Sequence, residues 1–352
     1  METTLNYNLR ADISTSLDPT SLYLLIFPTE NCNFRCTYCY EDHNPVNMQP
    51  KIVEAIKKLL ARRMDDTQHI QLSWFGGEPL LGTEIVFELC EFVQSRCQQT
   101  GTEQLVGEMT TNGYLLTESV MKRLTEANQK HFHISLDGIA RTHDSTRPLV
   151  SGKGTFDRIW NNLTTLRASQ LDFDIVLRLH FGVADIAETE ALCRKVDNHF
   201  AGDHRFNVLL QGIKDLGGEN GKKITPLPRD ERMRIARHLF GLFSNVKVSN
   251  PDTAEEGICY AAKPNHLIIR ADGSISKCAV NLRDPRNTVG RLDESGYLHI
   301  DKERFNPWLK GFEQLDSKLL TCPYTGVLNI PFLQHDQMVA LKKKASLTAA
   351  PG

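Results

Sequence analysis

Apolar residues in this chain come in short runs separated by amphipathic stretches. "SLYLLIF" (21–27) is a continuous apolar run ending at Pro28, the pattern of a buried strand. From Pro50 the spacing turns helical, with Ile52, Val53, Ile56, Leu59 and Leu60 on one face. "IQLSWF" (70–75) predicts a second strand, closed by "GGEP", and an amphipathic helix follows near 84–97. The alternation then repeats. "VGEMTTNG", "HFHISLDG", "DFDIVLRLHFGV" and "HRFNVLLQG" read as strands with the loops that end them. Helical patterns near 117–127, in "TFDRIWNNLTTL" and near 187–199 lie between them. Strands alternating with helices at these intervals predict parallel βα units. Six units predict an α/β fold, a partial (β/α)6 TIM-like barrel, whose chemistry sits at the C-terminal ends of the strands. The loop at 31–42, "GGEP", "TTNG" (110–113) and "SLDG" (135–138) all follow strands, so all four are expected at one mouth.

The rhythm breaks at "DLGGENGKKITPLPRDE" (215–231), rich in Gly, Pro and charge. A helix is expected near 229–244, and "NHLIIRADGSISKCAV" predicts a hairpin turning at Asp272–Gly273. The expected division is an N-terminal segment (1–20), a barrel (21–214), a linker with a bridging helix (215–245), a small C-terminal domain (246–335) and a frayed tail (336–352).

Charge adds little to this picture. Lys plus Arg number 41 and Asp plus Glu 43, a balance that points to neither nucleic acid nor an anionic membrane as partner. No apolar run is long enough to span a bilayer, and the N-terminus lacks the pattern of a secretory signal, so a cytoplasmic location is expected. Nine cysteines in a reducing compartment then read as metal ligands where clustered and as small core residues where isolated. Cys90, Cys97 and Cys193, in amphipathic helix patterns, belong to the second kind.

"NCNFRCTYCYED" (31–42) is the cluster, with Cys32, Cys36 and Cys39 spaced Cys-x3-Cys-x2-Cys. Zinc is one reading, with His43 as a fourth ligand. A cubane iron–sulfur cluster is the other, with three thiolates leaving one iron open to an exchangeable ligand.

This spacing, with an aromatic before the third cysteine, resembles the signature of the radical S-adenosylmethionine (radical SAM) superfamily. The resemblance implies that Cys32, Cys36 and Cys39 hold a 4Fe-4S cluster, that SAM chelates the fourth iron, and that its reductive cleavage gives a 5′-deoxyadenosyl radical. Tyr38 would pack on the adenine. "WFGGEPL" (74–80) is similar to the family's GGEP motif, so Gly76, Gly77, Glu78 and Pro79 would bind the SAM amino group. Asn112 of "TTNG" and Ser135 and Asp137 of "SLDG" would join the SAM contacts, and Arg147 would hold the carboxylate with its guanidinium fork. The agreement runs in order through residues 20 to 210.

Cys259, Cys278 and Cys322 resemble the cysteines of the SPASM and twitch extensions, cut short here because Thr325 stands where a CxxC would continue. One auxiliary iron–sulfur cluster is implied, and ordinary thiols are the alternative. The stretch "SLDG…HDSTRPLVSGKGTF" is most similar to maturases of ribosomally made peptides. It implies hydrogen abstraction from a precursor-peptide residue, leading to a C–C, C–O or thioether crosslink or another side-chain modification. The alternatives are a small-molecule dehydrogenase or cyclase and a sulfatase-maturase-like protein oxidation, the latter disfavoured by the missing cysteines. A flavodoxin- or ferredoxin-like electron donor is implied. Only some twenty residues precede the first strand, against about eighty in a leader-binding domain, so a leader is expected to bind the barrel mouth, the C-terminal region or a separate leader-binding protein. For the acid or base, His180, Arg178, Gln211 and Asp215 follow the fifth and sixth strands and are the candidates.

Overall fold

A computed structural model describes residues 7–41, 43, 46–182, 185–221, 223–249 and 257–328. The expected tail (336–352) and the last residues of the expected C-terminal domain lie outside the described residues. Helix α1 (Tyr7–Ser16) opens the chain. The barrel pattern then runs β1 (Ser21–Ile26), α2 (Pro50–Arg63), β2 (His69–Trp74), α3 (Thr83–Thr100), the two-residue β3 (Glu103–Gln104), β4 (Gly107–Thr111), α4 (Glu118–Glu126) and β5 (Gln129–Asp137). It continues with α5 (Ala140–Thr146), α6 (Phe156–Ala168), β6 (Asp174–Phe181), α7 (Ile186–His199), β7 (Phe206–Gly212), α8 (Gly218–Gly221), α9 (Arg229–Phe240) and the short β8 (Lys247–Val248). Strands β1, β2, β4, β5, β6 and β7 pair in that order and all in parallel, so the six βα units stand as an open arc.

The arc's two faces explain its sequence. On β5 and β6, Phe132, Ile134, Leu136, Ile175, Leu177 and Leu179 are buried under the helices. The alternate residues Ser135, Arg178 and His180 point to the concave side. The apolar face drives the packing and the other is free to carry chemistry.

The C-terminal strands β9 (His266–Ile269), β10 (Ser274–Ser276), β11 (Thr288–Leu292) and β12 (Leu298–Ile300) form an antiparallel meander. The expected hairpin is β9–β10, turning at Gly273 with φ +82°. β9 also pairs in parallel with β1, from Tyr23↔His266 to Ile26↔Ile269, so the meander extends the arc's sheet at its β1 edge. Helix α9 stops at Phe240 rather than near 244. The buried Asp197 of α7 accepts the backbone N–H groups of Ser244, Asn245 and Val246 and draws that segment out of the helix.

Candidate active site

The chain leaves β1 into the cysteine loop, which is pinned along the segment that follows α5. Arg35 N–H donates to Pro148 O, Thr37 N–H to Thr146 O and Val150 N–H to Asn33 O. These bonds fix the thiols against Arg147. All three thiols, with Gly76, Gly77, Asn112, Ser135, Arg147, Arg178, His180 and Gln211, line one cavity of about 510 Å³ at the C-terminal ends of the strands. The expected meeting of four loops at one mouth is therefore what the backbone builds.

The glycines are there for contact. A Cβ on Gly76 would stand 2.2 Å from Thr29 O, and one on Gly77 would stand 2.3 Å from Asn31 O. The second loop thus lies backbone to backbone against the root of the cysteine loop. Gly76 also has φ +117°, a conformation side chains resist.

Glu78 is fully buried and turned away from the cavity. Its carboxylate accepts Leu80 N–H at 3.0 Å, the Thr111 hydroxyl at 2.7 Å and Asn112 N–H at 2.7 Å. Pro79 is buried at the start of the next turn. Both brace the loop from behind the cavity wall. Asn112 does face the site: its side chain donates to Asn33 Oδ1 at 2.8 Å and sits 4.0 Å from Cys32 Sγ.

Asp137 also lies behind the cavity wall. It is fully buried, accepts the Tyr38 and Thr146 hydroxyls, and lies 3.1 Å from His180 Nδ1. Burial opposes its charge, but the His180 bond and the Arg147 guanidinium outweigh it and hold the carboxyl well below the usual carboxylate range. An ionised Asp137 makes His180 Nδ1 the protonated nitrogen, which leaves Nε2 with a free lone pair. Burial keeps that imidazole neutral by lowering its pKa. Tyr38 closes the network: its hydroxyl donates to Asp137 and accepts from Arg147 at 2.7 Å. Among the described residues Arg147 Nε is buried without a partner. Of the other candidates, Gln211 lines the cavity, whereas Asp215 is exposed and caps a local turn through Gly217 N–H.

Residues 26–193 match the radical SAM superfamily. A cysteine-type anaerobic sulfatase-maturating enzyme of Clostridium novyi is 31% identical over 308 residues, covering 80% of this chain and 79% of the relative. The chain belongs to the radical SAM superfamily. A serine-type anaerobic sulfatase-maturating enzyme of Klebsiella aerogenes is 25% identical, covering 78% of this chain and 71% of the relative. Native anSMEcpe with bound AdoMet and Cp18Cys peptide shares the fold at a TM-score of 0.62 and 21% identity, covering 86% of this chain and 88% of that one. Streptococcus suis SuiB bound to precursor peptide SuiA does so at 0.55 and 16%, covering 93% and 77%.

As a radical SAM protein, the chain uses SAM and a 4Fe-4S cluster, and the site fits both. The unpartnered Arg147 Nε suits a carboxylate, and the glycine loop leaves room where any Cβ would intrude. Burial pushes the Cys39 thiol up to about 12 and raises those of Cys32 and Cys36, so iron is what would keep them as thiolates. Phe34 N–H already points at Cys32 Sγ at 3.4 Å, the kind of bond that stabilises cluster sulfur. Among the described residues no three His, Cys, Asp or Glu side chains converge on one point as a single zinc ion requires, and His43 has both ring nitrogens buried without partners.

The second cysteine set is also drawn together. Cys259 opens a turn whose N–H bonds to Leu320 O, two residues before Cys322, and its thiol is raised by burial with Cys278 and Cys322 adding to the effect. Cys278 Sγ accepts Val280 N–H at 3.4 Å, the same i+2 pattern as Cys32. Cys90 and Cys193 are fully buried, as their helix positions imply. Tyr40, Glu41, Tyr260, Lys214 and Leu216 also line the cavity, beyond the expected site residues. Three of them directly follow a cysteine, or follow one by two positions, and that adjacency was the available signal.

Proposed function

We propose that this radical SAM enzyme acts on a residue of a peptide or protein. One observation carries the reading. The cavity is bounded on one side by Cys32, Cys36, Cys39, Gly77 and Arg147, and on the other by Tyr260, Ala279 and Val280, the neighbours of Cys259 and Cys278. A substrate in this cavity would lie between two cysteine sets.

In this reading Cys32, Cys36 and Cys39 hold the 4Fe-4S cluster. SAM rests against Gly76, Gly77, Asn112 and Ser135, with its carboxylate on Arg147. When bound and reduced, the pair supplies a 5′-deoxyadenosyl radical that takes a hydrogen atom from the substrate. Tyr38 and Asp137 hold Arg147 and His180 in place. His180 Nε2, left bare by the Asp137 bond, is the acceptor for a proton released on the substrate. Cys259, Cys278 and Cys322 are the ligands for one auxiliary iron–sulfur cluster. The substrate is a precursor peptide, left crosslinked or otherwise modified. The remaining partners are a flavodoxin- or ferredoxin-like electron donor and a separate leader-binding protein.

Oxidation of a serine or cysteine in a sulfatase is the second reading, favoured by the activity named for the curated relatives.

The test is anaerobic incubation of reconstituted, reduced protein with SAM and two peptides, one encoded beside the gene and one from a sulfatase. A crosslink and the oxidation of serine to an aldehyde both remove two hydrogens, so fragmentation and hydrazide trapping of the aldehyde distinguish them, whereas oxidation of cysteine to the aldehyde also exchanges sulfur for water oxygen. Absence of 5′-deoxyadenosine release in every arm would sink both readings. His180→Gln is expected to slow product formation at least tenfold and to flatten its pH profile.

A further inference from the structure

Arg178 stands apart from the other enclosed guanidinium groups. It sits on β6 between the buried Leu177 and Leu179 and faces the cavity beside His180. Elsewhere such groups are paired: Arg270 grips both oxygens of Glu30 at 2.8 and 2.7 Å, Arg205 holds Asp203, Arg286 holds Asp284, and Arg147 donates to Tyr38. Among the described residues Arg178 makes no hydrogen bond or ion pair. The ionisable groups around it are Tyr40, Glu108, Arg147, His133 and His180, none of them bonded to it among the described residues. An enclosed, unpaired cation is costly, and such cost is tolerated where a ligand supplies the partner.

SAM carries one carboxylate, and Arg147 with its free Nε accounts for it. Arg178 lies one strand further round, in register with Ser135 on β5 and Leu209 on β7. Lys214, also without a bonded partner among the described residues, lines the same cavity from the loop after β7. Beside these two cations are Leu209, Ile213 and Val280, apolar surface suited to methylene groups.

We propose that Arg178 is a substrate-recognition site for a carboxylate, carried by an aspartate or glutamate side chain or by the C-terminus of the peptide, with Lys214 assisting at the rim. This rests on the peptide reading of the cavity. The guanidinium fork supplies two parallel donors to the carboxylate, which an amide cannot match.

The test uses reconstituted protein loaded with SAM and three probes: N-acetyl-glutamate α-amide, N-acetyl-glutamine α-amide and N-acetyl-alanine. Calorimetry is expected to show the glutamate probe binding at least tenfold tighter than the glutamine probe. Tight binding of N-acetyl-alanine instead assigns the carboxylate to a C-terminus. The preference should vanish in Arg178→Gln and survive in part in Arg178→Lys, with iron content and circular dichroism checking that each variant folds. Equal binding of all three probes, or an undiminished preference in Arg178→Gln, overturns the proposal. So does a matching loss of SAM affinity in Arg178→Gln, which would assign the guanidinium to the cofactor. An Arg178-dependent preference supports the carboxylate site even if no peptide stimulates 5′-deoxyadenosine release, a result that would instead remove the peptide reading.

Discussion

Glu78 accepts the backbone N–H of Asn112 at 2.7 Å, and through that bond a fully buried carboxylate holds the second strand-end loop to the third. Burial raises the Glu78 carboxyl, and the Asn112, Thr111 and Leu80 donors oppose that rise. Glu78→Gln keeps the shape but turns one oxygen into a donor facing donors. It is expected to cost about 1–3 kcal/mol in urea unfolding of the apoprotein and to lower iron retention after reconstitution. Unchanged stability with full iron content would mean that the brace is not needed.

Gly77 tests the approach of the two loops. The atoms that an alanine methyl would meet, Asn31 O at 2.3 Å and Asn31 C at 2.5 Å, are backbone and cannot swing aside. Gly77→Ala is expected to weaken SAM binding to the reconstituted protein at least tenfold. Gly257→Ala, where a Cβ meets nothing within 4 Å, is the control. Equal SAM affinity in the two variants would show that the loops separate without cost.

Much of this site was legible because the motifs fall at strand ends, and a strand's end is readable from its apolar run. The helix-facing residues of β5 and β6 were equally plain, since alternation is local. What sequence hid depends on distance. The pairing of the four-residue β9 with β1 joins positions more than two hundred residues apart. Glu78 and Asp137 match a motif but spend their oxygens on Asn112, Thr146 and Tyr38, and no pattern of spacing says whether a carboxylate faces a ligand or the protein. Arg178 was visible, but that it lacks a partner could be learned only in three dimensions.

Cys278 separates the two cysteine sets. Its sulfur accepts Val280 N–H and lies 3.6 Å from Asn281 Nδ2, a prepared thiolate environment. Cys278→Ala is expected to lower iron per chain by one cluster's share while the SAM-responsive electron paramagnetic resonance signal persists. Cys36→Ala should also lower iron by one cluster's share but abolish that signal. If Cys278→Ala leaves iron content untouched, the C-terminal cysteines are ordinary thiols.

Acid should loosen the frame around Arg147 through His143. Its Nδ1 accepts the backbone N–H of Asp137 at 3.2 Å, and its ring packs edge-on to Phe156. Burial, helped by the Arg147 charge, lowers its pKa from 6.5 to about 4. A histidine with a lowered folded-state pKa contributes stability that is complete above its unfolded value of 6.5 and is lost as pH falls through about 4. His133, also lowered to about 4 by burial, acts in the same window, whereas Asp137 titrates below it. A shift of this size is worth on the order of 3 kcal/mol. Glu41, whose carboxyl burial raises from 4.5 to about 8, gains stability over much of the same range, so the His143 contribution is read as the difference in urea-unfolding stability between the native apoprotein and His143→Leu from pH 6.5 to 4. His143→Leu removes the titrating ring and also the acceptor for Asp137 N–H. It should be less stable at pH 7 yet lose less on acidification, and an unchanged slope would place the acid sensitivity elsewhere.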